Sequence, residues 1–504
     1  MNAASSPIQT LRLHSARLAR PLVLTAMTLA LAACASSGGL APQGAVLEPG
    51  ALHAERTLAQ TTLSPAAWPA SDWWRALGDP QLNALIAEGL QHNPSLAAAD
   101  ARLRQAQARI GTAQADRGPS LSVTGGYAGV QLPESMAGEE RGGKFGGNGQ
   151  VVLDFRYGVD LWGGKRAAWE AAVDQAHASD VDAQAARLNL SAAIAEAYAQ
   201  LDYAWRLHDV ANDELTRAQK TLDLTRQRRG AGIDSELQVR QSQARVPAAQ
   251  QQLQSAQQQI DEARTALAAL VGQGPDRGLE IARPTLSSAG ALQLPSALPA
   301  DLLGRRPDVV AARWRVEAAD KNIAVAKTRF YPSFNITALG GLVNRDVGQL
   351  LESASLFGVV APALSLPIFD GGKLRATLAG SDAQYDLAVA DYNQKVLDAL
   401  REVADQVNAV RSLEQRARSQ DDAVQTVTAA FDLAQQRYRA GIGSYLEVLS
   451  VQEQLLTARQ RMASLQSQQL LASMRLQRAL GGGFTPEPAR DTAHAATTSA
   501  QPNS

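Results

Sequence analysis

Residues 231–239 read AGIDSELQV and residues 440–449 read AGIGSYLEVL, nearly the same segment placed 209 positions apart. Glycine supplies the left-handed backbone that ends a helix, and a serine three residues on can cap the next one. Long stretches of helical pattern flank both copies. Each copy therefore reads as a tight reversal between two helices, and the chain makes that reversal twice.

The duplication extends outward from these turns. NPSLAAADARLRQAQARIGTAQADRGPSLSVT at 93–124 aligns without a gap to RPDVVAARWRVEAADKNIAVAKTRFYPSFNIT at 306–337. WGGK (162–165) matches DGGK (370–373), and LVG at 270–272 parallels ALG at 479–481. Each half reads as one unit of a repeat: a medium helix, two strands, a very long helix, the reversal and a shorter helix. Helices are expected near 95–117, 166–228 and 234–271, and again near 308–329, 374–438 and 444–480. Leu190, Ile194, Ala197, Leu201, Ala204 and His208 step by threes and fours, as do Val389, Tyr392, Val396, Ala399, Val403, Val407 and Val410. Such spacing is a coiled-coil seam. A helix over 166–228 spans roughly 95 Å at the α-helical rise, and the two shorter helices of each half together match it.

Between Pro119 and Asp160, and between Pro332 and Phe369, the period changes to two. Val151, Leu153, Phe155, Tyr157, Val159 and Leu161 alternate with Val152, Asp154, Arg156, Gly158 and Asp160; Phe334, Ile336 and Ala338 alternate with Asn335 and Thr337. Strands of this length with one apolar face suit an outer-membrane barrel. Four strands cannot close a barrel, and open edges in lipid leave backbone groups unpaired. Three copies would give a barrel of twelve strands. The expected fold class is therefore mainly α with a membrane β-barrel, internally duplicated, as a homotrimer with the barrel set on an α-helical tunnel.

The expected organisation is a signal peptide (1–33), a lipidated tether (34–66), a first repeat (67–272; strands about 120–160, hairpin about 166–271) and a linker (273–304). A second repeat (305–482; strands about 333–368, hairpin about 374–480) and a disordered tail (483–504) follow.

Hydrophobic residues make up 45% of the chain but aromatics only 5%, so alanine dominates, which suits closely packed helices. A net charge of −1 gives no basic stripe for nucleic acid. Cys34, the only cysteine, follows a basic segment (Arg12, Arg17, Arg20) and the apolar run Pro21–Ala33, the pattern of a secretory signal. LAAC at 31–34 resembles the bacterial lipobox, which implies that Cys34 becomes an acylated N-terminus. No His/Asp/Glu cluster has ligand spacing and no nucleophile constellation is visible, so neither a metal, a cofactor nor an enzyme is expected. GGKR and GGKL lack the full phosphate-loop spacing.

Trp73-Trp74 with DPQLNALI (79–86), RRPDV (305–309), FYPS (330–333), PIFDGGK (367–373) and QQRYRAGIGSYLEVL (435–449) resemble the TolC/OprM-type outer-membrane efflux proteins, in particular the lipoprotein branch. The resemblance covers about residues 66–482. It implies a trimeric outer-membrane channel with a helical tunnel in the periplasm. A periplasmic adaptor protein and an inner-membrane resistance-nodulation-division pump would be its partners. The same duct serving type I protein secretion is the alternative; an adaptor lipoprotein fits less well, since adaptors carry a single hairpin.

By the same resemblance, the turns carrying Arg228, Gly232 and Ser235, and Arg437, Gly441 and Ser444, would face the adaptor. Tyr438 takes the position of a locking tyrosine and Leu446 that of a constricting leucine, and Glu447 would form a carboxylate ring. Carboxylate rings favour cations, and three such groups would repel by about 1–4 kcal/mol per pair at ~4 Å. Gln238 and Ser450 stand where aspartates often join the lock, so an aperture short of ionic contacts is expected.

Overall fold

The structure is a computed structural model that describes residues 38–47, 68–287 and 304–485. The signal segment, Cys34, residues 48–67 and most of the expected tail lie outside the described residues. In chain order the elements are α1 (Pro80–His92), α2 (Pro94–Ala115), β1 (Ser120–Gln131), α3 (Glu134–Arg141), β2 (Phe145–Val159), α4 (Gly164–Gly230), α5 (Glu236–Leu270) and α6 (Asp276–Leu279). The second half gives α7 (Pro307–Thr328), β3 (Ser333–Asn344), β4 (Leu356–Ser365), α8 (Lys373–Arg439) and α9 (Tyr445–Ala479). The repeat is visible in the lengths: α2 and α7 have 22 residues, α4 and α8 have 67, and α5 and α9 have 35.

The chain forms two compact units. The first contains the described residues up to Val46 with Arg104–His177 and Arg313–Asp391; the second contains the described residues within 47–103, 178–312 and 392–504. In the first unit the four strands make one antiparallel sheet in the order β1-β2-β3-β4. Register puts Leu121 opposite Phe155, Val123 opposite Leu153, Tyr157 opposite Ile336 and Phe334 opposite Leu364. Paired residues share a face, so these side chains join Val151, Leu342, Leu356 and Val360 in one continuous apolar surface. The other face carries Thr124, Gln150, Asp154, Arg156, Asn335 and Thr337. Leu121, Val123, Val360 and Leu364 are all exposed. A surface this apolar and this bare is suited to lipid rather than water. Among the described residues no helix is long and apolar enough to cross a membrane.

At Gly341, where β3 crosses β2, a Cβ would come within 2.1 Å of the Val151 carbonyl oxygen, so only glycine fits. The strand loops are unequal. α3, kinked at Gly138 with φ 73°, fills the β1–β2 connection, whereas two short 3₁₀ turns fill β3–β4. Neither feature follows from the alternating pattern.

The second unit is built on an apolar core of Leu82, Leu85, Ile86, Ile194, Tyr198, Leu201, Ile260, Leu267 and Met474, among others. The heptad reading holds well in α8, where Val389, Tyr392, Val396, Ala399, Val403, Val407 and Val410 are all buried. In α4, Leu190, Ile194, Leu201 and Ala204 are buried, but Ala197 and His208 are only half-buried. Tyr198, fully buried, takes the inner place instead. Its hydroxyl donates to Asp79 Oδ2 at 2.8 Å, and Asp79 also accepts from the backbone of Thr285 and Gln81.

Packing extends beyond the expected repeats at three places. The segment read as linker is packed in its first part: α6 forms, Arg277 pairs with Glu88 at 3.0 Å, and Ile281 is buried. Just past the expected end of the second repeat, Phe484 is buried. Part of the tether is ordered along α8: Gln43 and Gly44 donate backbone N–H groups to Asp386 at 2.8 and 2.6 Å. The linker and tether contacts join residues far apart in sequence.

Burial alone would push the Asp79 carboxyl up; hydrogen bonds from Thr285, Tyr198 and Gln81 outweigh it and hold the group below the usual carboxylate range. A depressed carboxyl contributes stability that is present above its unfolded pKa of about 3.9 and lost as pH falls through the folded value. Thermal unfolding in detergent should therefore show a stability loss below about pH 4 that Asp79→Asn flattens. The same substitution should cost about 1–3 kcal/mol at neutral pH.

Candidate functional site: the two helix reversals

Both reversals lie in the second unit and are closed by the same hydrogen bonds. In the first, Gly232 has φ 75°, and the N–H groups of Gly232 and Ile233 donate to the carbonyls of Arg229 and Arg228 at 2.9 Å each. In the second, Gly441 has φ 81°, and Gly441 and Ile442 donate to Tyr438 and Arg437 at 3.1 and 3.0 Å. This is the Schellman ending of a helix, which needs a left-handed residue at the turn. The returning helices are capped as the serines suggest. Ser235 donates its N–H to the Gln238 side chain, and Ser444 Oγ accepts from Glu447 N at 3.2 Å.

The two turns differ at one chemically decisive place. Asp234 in the first corresponds to Gly443 in the second, where a Cβ would lie 2.9 Å from Tyr438 N. The Asp234 carboxylate is buried and takes Arg228 in a fork, Nε to Oδ2 at 3.0 Å and Nη2 to Oδ1 at 3.2 Å. Arg228 Nη1 donates to the Tyr438 carbonyl, and its guanidinium lies 4.2 Å from the centre of the Tyr438 ring. The Tyr438 hydroxyl donates to Asp234 and sits 3.3 Å from Thr225 Oγ1. One carboxylate thus ties the first turn to the last helical turn of α8.

These contacts shift the groups in the directions expected of them. The hydrogen bond from Arg228 to Asp234 raises the guanidinium further. Burial, reinforced by the neighbouring Asp234, pushes the Tyr438 hydroxyl up to about 12, so it stays protonated as a donor. Beneath the cluster lie Phe431, Ala434, Tyr445, Val448 and Leu455, which exclude water from it. A charged fork in such a setting is strong when complete and costly when broken.

The outer surfaces of the turns are apolar in matched places. Ile233 and Leu237 are exposed in the first, and Ile442 and Leu446 in the second. Charge flanks them: Glu236 bridges Arg229 and Arg240, each at 2.8 Å.

The sequence-selected residues are thus gathered at the two turns, with different parts to play. Gly232, Gly441, Ser235, Ser444 and Gln238 shape the turns. Arg228 and Tyr438 belong to the buried cluster, so Arg228 does more than place charge at a helix end. Leu446 and Ser450 are exposed. Two contacts at the turns were not foreseen from the sequence. Gln238 and Ser450 bring no carboxylate to the turns, and the buried carboxylate of the first turn comes instead from Asp234, which the sequence reading did not select. Arg437 Nε lies 3.8 Å from Glu447 Oε1, so within one chain a guanidinium stands beside that carboxylate. The signal for Asp234 was present in the paired motifs, as the substitution of Asp by Gly between the copies.

Removing one member of the buried fork should be costly. Asp234→Ala leaves Arg228 charged and unpaired and should destabilise the protein by about 3–5 kcal/mol, measured by denaturant unfolding. Tyr438→Phe, which loses one hydrogen bond to a charged group, should cost about 1.5–3 kcal/mol.

A sequence model of the outer membrane efflux protein family matches residues 85–273 and 298–482. Fusaric acid resistance protein FusA of Burkholderia cepacia is 38% identical over 371 residues, covering 72% of this chain and 69% of the relative. Pyoverdine export outer membrane protein OpmQ of Pseudomonas putida is 32% identical over 480 residues, covering 93% and 98%. Among solved structures, the outer membrane protein VceC of Vibrio cholerae is 36% identical with a TM-score of 0.77, covering 83% of this chain and 100% of that one. The outer-membrane channel OprN is 28% identical with a TM-score of 0.79, covering 90% and 98%.

Proposed function

This chain belongs to the outer membrane efflux protein family, and from that premise we propose that it is the exit duct of a tripartite efflux system. Three copies enclose a channel in the outer membrane that passively conducts small molecules. A periplasmic adaptor and an inner-membrane resistance-nodulation-division pump deliver them. The observation that carries this reading is the sheet. It has one continuous apolar face, a more polar opposite face, and unpaired edges at β1 and β4. In lipid those edges cannot stay open, because each unsatisfied backbone group costs several kcal/mol. Edge pairing between copies satisfies them, and the polar face then lines the pore.

The reversals serve as the adaptor-facing tips. Ile233, Leu237, Ile442 and Leu446 offer exposed apolar contacts there, and such patches mark partner surfaces. The Arg228–Asp234–Tyr438 cluster holds the tip shut within each copy, and Leu446 constricts the aperture. With Arg437 beside Glu447, cation preference at the aperture is weak. Small-molecule efflux is favoured over protein secretion by the relatives' names, which cite fusaric acid resistance, pyoverdine export and multidrug resistance. The protein is a lipoprotein acylated on Cys34, a reading supported by the sole cysteine at the end of the signal pattern.

Native mass spectrometry in detergent should give three chains per particle, each with a mass that includes acylation at the N-terminus. A membrane-inserted monomer would overturn the duct. In planar bilayers, Asp234→Asn should raise the resting conductance several-fold, while Glu447→Gln should change ion selectivity only slightly. Unchanged conductance in Asp234→Asn would remove the cluster from the gate.

A further inference from the structure

We propose that the groove between α8 and α9 holds an anion-binding subsite of the duct, built on Arg416 and Arg461. Its ligand is an organic anion, a small apolar body carrying a carboxylate or sulfonate. The inference rests on the exit-duct reading above and adds a class of cargo that the duct favours. The groove has a volume of about 500 Å³, the size of a small-molecule site. Arg416 enters it from α8 and Arg461 from α9, and both are exposed. Neither guanidinium has an ion-pair partner among the described residues, and no described aspartate or glutamate lines the groove.

Other arginines of α9 are matched by carboxylates. Arg459 reaches Asp213 at 2.8 Å, and Arg475 and Arg478 share Glu196 at 3.4 and 3.5 Å, which ties α9 to α4. Arg461 lies two residues past Arg459, so it points about 200° away from that seam. The groove itself is held in shape. Gln420 Nε2 donates to the Ala458 carbonyl at 3.0 Å and Gln469 Nε2 to the Leu413 carbonyl at 3.4 Å, tying α8 to α9 at both ends of it. Leu465, buried in a small apolar cluster, gives the groove an apolar floor. Ser464 Oγ accepts from Gln468 Nε2 at 2.9 Å, which leaves its O–H as a donor toward a bound anion. Guanidiniums make their strongest hydrogen bonds with such anions, and an apolar floor suits the rest of the molecule.

Helical periodicity puts this groove on the channel side. Arg461 follows Glu447 by two heptads, and Arg416 precedes Arg437 by three. In coiled-coil helices, residues at heptad spacing share a face. Arg461 therefore shares the face of α9 that carries Leu446 and Glu447 to the aperture. At the α-helical rise it lies about 21 Å further along the duct. Three copies set three such grooves around the passage, each with two uncompensated positive charges. Past the aperture, where Arg437 stands beside Glu447, the lining turns basic, and anionic cargo is held there more than neutral cargo of the same shape.

Planar-bilayer recording of the full-length protein tests the subsite, with benzoate as the probe and benzamide as its neutral counterpart, both added on the extracellular side. Benzoate should reduce the current in a saturable way, and benzamide should need at least a tenfold higher concentration for the same effect. Arg416→Gln combined with Arg461→Gln should raise the half-blocking concentration of benzoate at least tenfold. Arg461→Lys, which keeps the charge, should raise it less than threefold. Both positions are exposed, so the variants should fold as the parent does. No block by benzoate, equal block by benzamide, or block that survives the double substitution would overturn the subsite alone. Inserted protein that conducts nothing, even with the turns loosened by Asp234→Asn, would overturn the duct reading and the subsite with it.

Discussion

The pairing of backbone N–H and C=O groups at the two edges of a four-stranded sheet constrains everything else in this protein. In water an open edge is merely an aggregation hazard. In hydrocarbon it is untenable, so a chain with four strands and a lipid-suited face must borrow its neighbours' edges. The demand explains why the apolar residues keep strict register across all four strands. It also makes duplication economical, because each half supplies one pair of strands and one helical hairpin in equivalent positions.

Equivalence between the halves is nearly complete in geometry and incomplete in chemistry, and the differences fall at functional places. At the reversals, the turn hydrogen bonds are the same, yet only the first carries a carboxylate. Asp234 ties together two segments that the repeat alone would leave symmetric, joining Arg228 from one hairpin to Tyr438 from the other. At the strand-to-helix junctions, Trp162 of one half stacks on Tyr331, and the other half carries Ile368 and Phe369 without such a stack. A duplicated frame fixes where elements lie, and single substitutions then assign different work to each copy.

Much of this was legible in the sequence because it depends on period and repeat. The α8 seam from Val389 to Val410 is a heptad, and heptads bury the residues they mark. The reversal glycines were legible for a similar reason, since few other residues adopt a positive φ without strain. What was hidden depends on single long-range contacts. Nothing in the local pattern near 276–287 announces that Arg277 reaches Glu88 or that Thr285 donates to Asp79. α3 interrupts the β1–β2 connection through a kink at Gly138 that alternation cannot foretell. At the tips, Arg437 and Glu447 were both visible, but their 3.8 Å approach across the turn was not.

Closure of the sheet between copies can be measured directly by disulfide trapping. Single cysteines along β1, each combined with one cysteine in β4, would be introduced into a chain whose only other cysteine is Cys34. Mild oxidation in outer-membrane vesicles, followed by denaturing electrophoresis without reductant, should give a ladder ending at a covalent trimer. The yield should peak at alternate β1 positions, as the two-residue period of a strand requires. Crosslinks confined within one chain, or a ladder that continues beyond three, would contradict closure by three copies.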